Sequence, residues 1–350
     1  MKIRGERNEL LRAFVTAVKA VASRNVRPIL NGLHLQVGDE GLLVTGTDME
    51  LAISTTAPCI MEEDGVAVIP ARQLIEVLRR CGDGEISLQT KGDSTLQVKW
   101  GKAQFTLQGY DPTEYPAITW PTEWLPAPGV REALHNVCFA AASAEAARAL
   151  LTGVNLSNTG TLATDGFKVA YMQTGLPVTD EVTLPAPNIE AVFGAFPSGE
   201  VDIARDNSSV YLRTGDTRAR MRALEGKYFA VLDLVPKKWG ITVKADRKAV
   251  LDALLRVSTV VEQEPPHCVI IEVKTKAIVL SSESALGQGE ESVDAVVQGA
   301  KGLRLGINCK QLAEGLKSLA GDQVTLCAND ATSLTWWGDG GSLHFYQMPL

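Results

Sequence analysis

No stretch of the 350-residue chain comes near the roughly 20 consecutive apolar residues that span a bilayer, so no helical membrane span is expected. Histidine is scarce. The four present, His34, His135, His267 and His344, share no metal-ligand spacing. The six cysteines (59, 81, 138, 268, 309 and 327) form no Cys-x-x-Cys pair and sit mostly in apolar patterns, so they read as core thiols. Also missing are a Gly-x-Ser-x-Gly elbow, a Walker-type phosphate loop and a His-Glu-x-x-His helix. These absences point away from hydrolase, nucleotide-cleaving and metal chemistry, and no cofactor or metal is expected. The N-terminal Met-Lys-Ile-Arg-Gly-Glu-Arg stretch is charged and helix-like rather than a secretory signal, and the expected location is the cytoplasm.

Positive charge is also in deficit. The formal net charge is −7, which argues against a protein that grips nucleic acid by bulk electrostatics. The distribution differs from the total. The six predicted helices together carry +5, which leaves −12 on the strands and loops. Lys and Arg are good helix formers on solvated faces, so this asymmetry alone fixes no function. It does leave one side of the molecule free to face phosphate if the helices share a surface.

What the chain does contain is a threefold internal repeat. Ala13-Phe14 followed by Ala17 returns as Ala133-Leu134 followed by Val137, then as Ala253-Leu254 followed by Val257, each at a step of 120 residues. Leu74, Ile189 and Leu312 recur at steps of 115 and 123, and Ile86, Val201 and Val324 keep the same steps. Asp48, Asp165 and Glu283 are placed at one equivalent turn. A period of this length is a domain copied in tandem, because solenoid units run only about 20–50 residues.

Each copy follows one order. An amphipathic helix comes first (8–22, 129–142, 246–260), then alternating runs that read as antiparallel strands. A second helix follows (71–80, 187–196, 309–319), and a strand meander closes the copy. Pro- and Trp-containing linkers fall at 119–129 and 235–245. The domains are therefore expected at 1–120, 127–238 and 243–350, each an α+β layer of two helices and about eight strands. Thr47-Asp48-Met49-Glu50 and Thr164-Asp165-Gly166 offer carboxylates for acid–base or metal work. Their matching places in successive repeats favour a shared turn in which Asp bonds local backbone. Trp120, Trp124, Trp336 and Trp337 are read as core and linker packing rather than as base-stacking platforms.

Several segments together resemble the bacterial sliding clamp family, the β subunit of DNA polymerase III. Arg24 with Arg27-Pro28-Ile29-Leu30 resembles the family's early Arg and Pro-Ile-Leu segment. Pro70-Ala71-Arg72 resembles the opening of its second helix. The run Thr164-Asp165-Gly166-Phe167-Lys168-Val169 resembles its central Ala-Thr-Asp-Gly segment. Gly226-Lys227-Tyr228 and the closing Met348-Pro349-Leu350 resemble the step before its second linker and its C-terminus.

The resemblance implies three tandem clamp domains, with sheets outside, two helices per domain inside, and a ring closed by a head-to-tail homodimer. It implies a non-enzymatic processivity factor that encircles double-stranded DNA without reading sequence. It also implies short-peptide partners: the polymerase catalytic subunit, the clamp loader and repair proteins. Carried over position by position, phosphate contacts are Arg24, Arg72, Arg79, Arg80 and Arg148. The partner-peptide pocket is Leu151, Thr164, Gly166, Phe167, Val169, Phe229, Leu234, Ser333, Tyr346, Met348 and Pro349. The dimer interface is Phe105 and Leu107 against Thr259 and Val260. Departures are concentrated at the pocket. Phe167 stands for a usual His, Tyr228-Phe229 for Phe-Pro and Asp233 for an Arg; the tail lacks the family's Arg, and Ala186-Pro187 opens the second domain's second helix. A clamp-like scaffold that binds peptides without encircling DNA, and a hydrolase built on Asp48 or Asp165, are the alternative readings.

Overall fold

A computed structural model describes residues 1–21, 27–92, 94–262, 264–299 and 302–350. In chain order its elements are β1 (Lys2–Glu6), α1 (Arg7–Ala17), β2 (Gly32–Gly38), β3 (Gly41–Thr47), β4 (Leu51–Ala57), β5 (Ile60–Glu63), β6 (Gly65–Pro70), α2 (Ala71–Arg80), β7 (Glu85–Lys91), β8 (Thr95–Trp100) and β9 (Ala103–Gln108). There follow β10 (Leu125–Pro126), α3 (Val130–His135), β11 (Gly153–Leu156), β12 (Gly160–Thr164), β13 (Lys168–Gln173), β14 (Val182–Pro185), α4 (Ala186–Ala195), β15 (Asp202–Arg205), β16 (Ser209–Thr214) and β17 (Thr217–Arg222). The last are β18 (Ile241–Asp246), α5 (Arg247–Val257), β19 (Cys268–Val273), β20 (Ala277–Ser284), β21 (Gly287–Gln298), β22 (Arg304–Asn308), α6 (Cys309–Ser318), β23 (Gln323–Ala328), β24 (Thr335–Gly338) and β25 (Leu343–Gln347). The class is α+β.

The strands form antiparallel sheets in the orders β5-β1-β7-β8-β9, β10-β15-β16-β17-β4-β3-β2-β6, and β14-β11-β12-β13-β25-β24-β23-β18-β21-β20-β19-β22. The chain groups into two compact units, Met1–Arg131 with Pro187–Ala223, and Glu132–Ala186 with Leu224–Leu350. Strand pairing accounts for the grouping. β17 pairs with β4 inside the first unit, and β13 pairs with β25 inside the second.

The repeat is a repeat of core positions. Ala13, Phe14, Ala17, Ala133, Leu134, Val137, Ala253 and Leu254 are fully buried, and Val257 nearly so. Leu74, Ile189, Leu312 and Ile86 are also fully buried. After each first helix a 3-10 turn follows, at Val18–Ala20, Cys138–Ala140 and Ser258–Val260, again 120 residues apart. The three long first helices of the sequence reading are therefore shorter. The first ends at Ala17, and residue 22 of its expected span lies outside the described residues. The second stops at His135, where Asn136, Val137, Cys138 and Phe139 are all modest helix formers. Lys2–Glu6 is a strand rather than part of a helix. Ile3 alternates into the core, fully buried, and β1 is held between β5 and β7.

One device ties the first helix of each repeat to the second. Arg7 donates to the carbonyls of Leu78 (2.9 Å) and Arg79 (3.2 Å) at the end of α2. Arg247, 240 residues on, donates to Leu316 (3.1 Å) and to Gly321 (2.5 Å) beyond α6. Arg131 does the same for α4 through Phe193 (3.3 Å) and Pro197 (2.7 Å). It stands one helical turn past the repeat position of Arg7, which is Ala127, so the same helix face supplies the cation. Each guanidinium meets orphan carbonyls at the negative end of a helix dipole.

Trp120 and Trp124 pack as linker residues. Arg218 lies over the Trp120 ring at 4.6 Å and Arg213 over Trp124 at 4.7 Å. Trp337 is 1% exposed in the core.

Candidate functional site

The site begins with a turn of five residues, Thr164 to Lys168, between β12 and β13. The Thr164 hydroxyl donates to the Lys168 carbonyl (2.7 Å) and accepts from the Gly166 N–H (3.0 Å). Asp165 Oδ1 accepts from the Phe167 and Lys168 N–H groups (2.8 and 2.9 Å). Gly166 takes φ +98°, a conformation open to glycine at no steric cost. The Asp165 carboxylate is thus spent on its own turn, and Asp48 is spent identically on Glu50 and Leu51 (3.0 and 2.7 Å). Both carboxylates therefore hold the same turn in successive repeats. In the third repeat Glu283 lies inside β20, and Ser284 takes the hydroxyl's part, accepting from the Leu286 N–H at 3.0 Å.

The turn pushes Phe167 outward, 67% exposed. Its carbonyl accepts from the Met348 N–H (2.8 Å), which brings the C-terminal segment alongside. A 3-10 turn, Val231–Leu234, supplies the opposite wall, with Leu234 75% exposed. Between them is an apolar groove of about 330 Å³, lined by Thr164, Gly166, Phe167, Val169, Val231, Leu234, Pro236, Ser333, Leu334 and Met348. Its floor is a cluster of Leu162, Val169, Tyr228 and Tyr346, with Trp239 and Trp336 packed against it. Ser333 is fixed by Asp330, which accepts from the Ser333 hydroxyl (2.5 Å) and N–H (2.8 Å) and from Thr332 (2.9 Å). These bonds, led by the one from the Ser333 hydroxyl, hold the Asp330 carboxyl down at about 2.

Beneath the groove most polar groups are matched, Gln347 Oε1 being buried without a partner among the described residues. The Tyr228 hydroxyl accepts from the Thr164 N–H and donates to the Gly153 carbonyl, both at 3.2 Å. Burial pushes this phenol up to about 12. Lys168, 7% exposed, pairs with Glu314 of α6 at 3.0 Å. Gln311 donates to Asp165 Oδ2 (3.3 Å), and Gln347 donates to the Asn308 carbonyl (3.0 Å) and to Gln311 (3.2 Å). The turn is thereby braced against α6.

Of the pocket residues expected from sequence, Thr164, Gly166, Phe167, Val169, Leu234, Ser333 and Met348 line this groove. Tyr346 belongs to its floor. Phe229 instead lines a separate cavity with Leu232 and Asp233, and carries the Arg148 guanidinium over its ring at 5.7 Å. Leu151 sits in the 3-10 turn Ala149–Thr152, and its carbonyl accepts from Ala142. Pro349 is half-buried beside the tail. Neither Leu151 nor Pro349 lines the groove. Val231, Pro236 and Leu334 were missed. The apolar run Val231-Leu232-Asp233-Leu234-Val235-Pro236 was the signal, since a linker has little need of so many apolar side chains.

Arg72, Arg79 and Arg80 are exposed on α2, and Arg80 pairs with Glu76 at 2.7 Å. Arg148 is exposed, and Arg24 lies outside the described residues. Phe105, 38% exposed, and Leu107 are on β9, the terminal strand of its sheet. Thr259 and Val260 are in the 3-10 turn after α5. Among the described residues no group of three or more His, Cys, Asp or Glu is placed to hold a metal, and no helix is long and apolar enough to cross a membrane.

Comparison with known proteins matches the same features. Residues 1–119 match the N-terminal domain of the DNA polymerase III beta subunit, and residues 233–339 match its C-terminal domain. A beta sliding clamp of Synechocystis sp. is 28% identical, over 94% of this chain and 93% of the relative. The Bacillus subtilis beta sliding clamp is 25% identical, over 93% of this chain and 92% of the relative. In structure, the DNA polymerase sliding clamp of Bacillus subtilis superposes over 100% of this chain and 99% of that one, with a TM-score of 0.93 at 22% identity. A Pseudomonas aeruginosa sliding clamp bound to griselimycin does so with a TM-score of 0.91 at 22% identity, over 100% and 99% of the two chains. With this fold, these two matched domains and relatives aligned along almost the whole length, the chain belongs to the DNA polymerase III beta subunit family.

Proposed function

We propose that this chain is a DNA sliding clamp. Two copies join head to tail into a ring around duplex DNA, and a groove on each tethers the replicative polymerase, the clamp loader and repair proteins by short peptides. The observation that carries the reading is a strand junction made twice and left open once. β17 closes on β4 and β25 closes on β13, antiparallel in both cases. The third pair of equivalent edges is β9 and the Gly287–Asp294 part of β21. Among the described residues, β9 pairs only with β8 and this part of β21 only with β20. A second copy supplies both, and a heterologous contact repeated twice closes a ring.

At the two closed junctions Met221 faces Leu51 and Gln347 faces Lys168; the open counterpart is β9 against the Gly287–Asp294 edge of β21. Val260 underlies this edge, because a Cβ at Gly289 or Gly287 would meet it at 3.3 or 3.8 Å. Phe105, Leu107, Thr259 and Val260 are therefore assigned to the dimer contact, and clamp domains to 1–120, 127–238 and 243–350. Arg72, Arg79, Arg80 and Arg148, with Arg24, are assigned to phosphate. Contacts of that kind carry no sequence information, which suits sliding. The net charge of −7 fits retention by topology rather than by adhesion.

The apolar groove with few polar fixtures fits a short peptide with hydrophobic anchors. No chemistry of its own is assigned to the chain, which acts in the cytoplasm as an accessory to the polymerase. The test is retention. Loaded onto nicked circular DNA, the protein stays bound at 1 M salt and is lost when the circle is linearised. Phe105→Glu yields monomers that are not retained. Equal loss from circular and linear DNA would leave only a peptide-binding scaffold.

A further inference from the structure

The first strand junction carries a cleft of about 510 Å³ between the tips of the β2–β3 and β16–β17 hairpins, well away in sequence from the groove turn. Arg218 lines it. Its guanidinium lies on the Trp120 ring at 4.6 Å, and the indole meets Tyr211 edge-on at 6.3 Å. Stacking fixes the plane of the guanidinium, so its paired N–H groups lose little freedom on meeting a ligand. Among the described residues no hydrogen-bond acceptor reaches that guanidinium. Its neighbour Arg213 is stacked the same way on Trp124 but is satisfied by Asp202 at 2.6 and 3.1 Å. The second junction offers a further contrast. Arg218 faces Ser54 across the strands, and His344 faces Tyr171, the residue 117 positions after Ser54. His344 accepts from Trp336 Nε1 at 3.2 Å and stacks on Tyr171 at 6.1 Å, so that position is satisfied internally.

The cleft has a mixed rim. Gln36 adds an amide, and Asp39, Glu40 and Asp216 put three carboxylates at the hairpin tips. Burial pulls the Arg218 guanidinium below its ordinary value, and Glu40 acts against that without a hydrogen bond. A dianionic phosphate would meet the fork but also three like charges. A planar carboxylate matches the fork bidentately, and a cation beside it would meet the rim acids. We infer that this cleft is a second peptide-binding site, which takes an extended segment carrying Glu or Asp next to Lys or Arg, with the carboxylate on Arg218.

The test uses the full chain labelled with ¹⁵N-tryptophan, and its probes are acetyl-Gly-Glu-Lys-Gly-amide and two variants. The Trp120 indole signal, assigned with Trp120→Phe, is expected to move on titration with the first peptide. Replacing Glu by Gln in the peptide should weaken binding about tenfold, the loss of a charge-assisted bidentate pair. Replacing Lys by Gln should weaken it about threefold. Arg218→Met should abolish the movement, and Phe167→Glu in the groove should leave it intact. Equal affinity for the Glu and Gln peptides, no movement with any peptide, or movement retained in Arg218→Met would each overturn the assignment. The peptide pair on the unaltered protein decides the matter even if Arg218→Met folds poorly.

Discussion

The two strand junctions share a backbone and differ in what they present. In the first, the Thr47 hydroxyl donates to Leu51 (2.7 Å) and accepts from Met49 (3.0 Å), and the Arg222 N–H reaches the Glu50 carbonyl (2.8 Å). In the second, Thr164, Lys168, Gly166, Met348 and Phe167 make the same bonds at 2.7, 3.0 and 2.8 Å. Glu50 and Arg222 then close an ion pair at 3.3 Å, where Phe167 and Met348 stand open. The adjoining 3-10 turns, at Pro112–Glu114 and Val231–Leu234, end in Glu114 and in Leu234, 120 residues apart. A duplicated scaffold thus holds one polar surface and one apolar groove. The difference teaches that the turn is structural in both copies, while three side-chain positions decide whether it presents a polar surface or an apolar groove.

The strongest way to break the comparison is to exchange those side chains. Phe167→Glu with Met348→Arg is expected to weaken an anchor peptide about a hundredfold, because roughly 3 kcal/mol of apolar contact is lost. Isothermal titration checks this, with thermal melting as the control for folding. A drop of less than threefold would mean the peptide is held elsewhere. A smaller effect tests the shared scaffold. Thr47→Val and Thr164→Val each remove two hydrogen bonds at a buried hydroxyl and should each cost about 1–2 kcal/mol in denaturant unfolding. Costs differing by more than about 1 kcal/mol would show that the two turns are not energetically equivalent.

The smallest effect concerns the third residue of the turn. Met49 holds φ +83° and Gly166 holds φ +98°. A Cβ at Gly166 meets nothing within 4 Å, so Gly166→Ala isolates backbone strain and should cost about 1 kcal/mol. Met49→Gly should recover part of a similar amount, offset by the entropy of the unfolded chain. If Gly166→Ala proved neutral, the glycine would have to serve close approach of a ligand instead.

Much of the fold was legible because short-range patterns repeat. Ala13, Ala133 and Ala253 mark the inner face of three helices through spacing alone, and burial follows. The Asp48 and Asp165 turns were legible too, since Asx side chains bond locally. The start of the chain was misread because Lys2–Glu6 is too short and too charged to signal a strand, and its partners, β5 and β7, come much later in the chain. The groove was legible on the wall formed by Thr164–Val169. It was incomplete on the wall formed by Val231 and Pro236, where a linker carries no periodic signal. The Phe229 ring meets Arg148, a contact that no spacing announces.

The sequence by itself determined the number of repeats, the two helices of each and the residues that face their cores, since period and polarity act over a few neighbours. Only the tertiary structure decided which sheet edges meet and which stay open. It alone placed Arg218 on Trp120 with no acceptor among the described residues, and buried Lys168 against Glu314. Those outcomes depend on strand register between segments more than 100 residues apart, for instance β4 with β17 and Lys168 with Glu314. Such pairings are chosen by the summed burial of whole sheets rather than by any local run of residues.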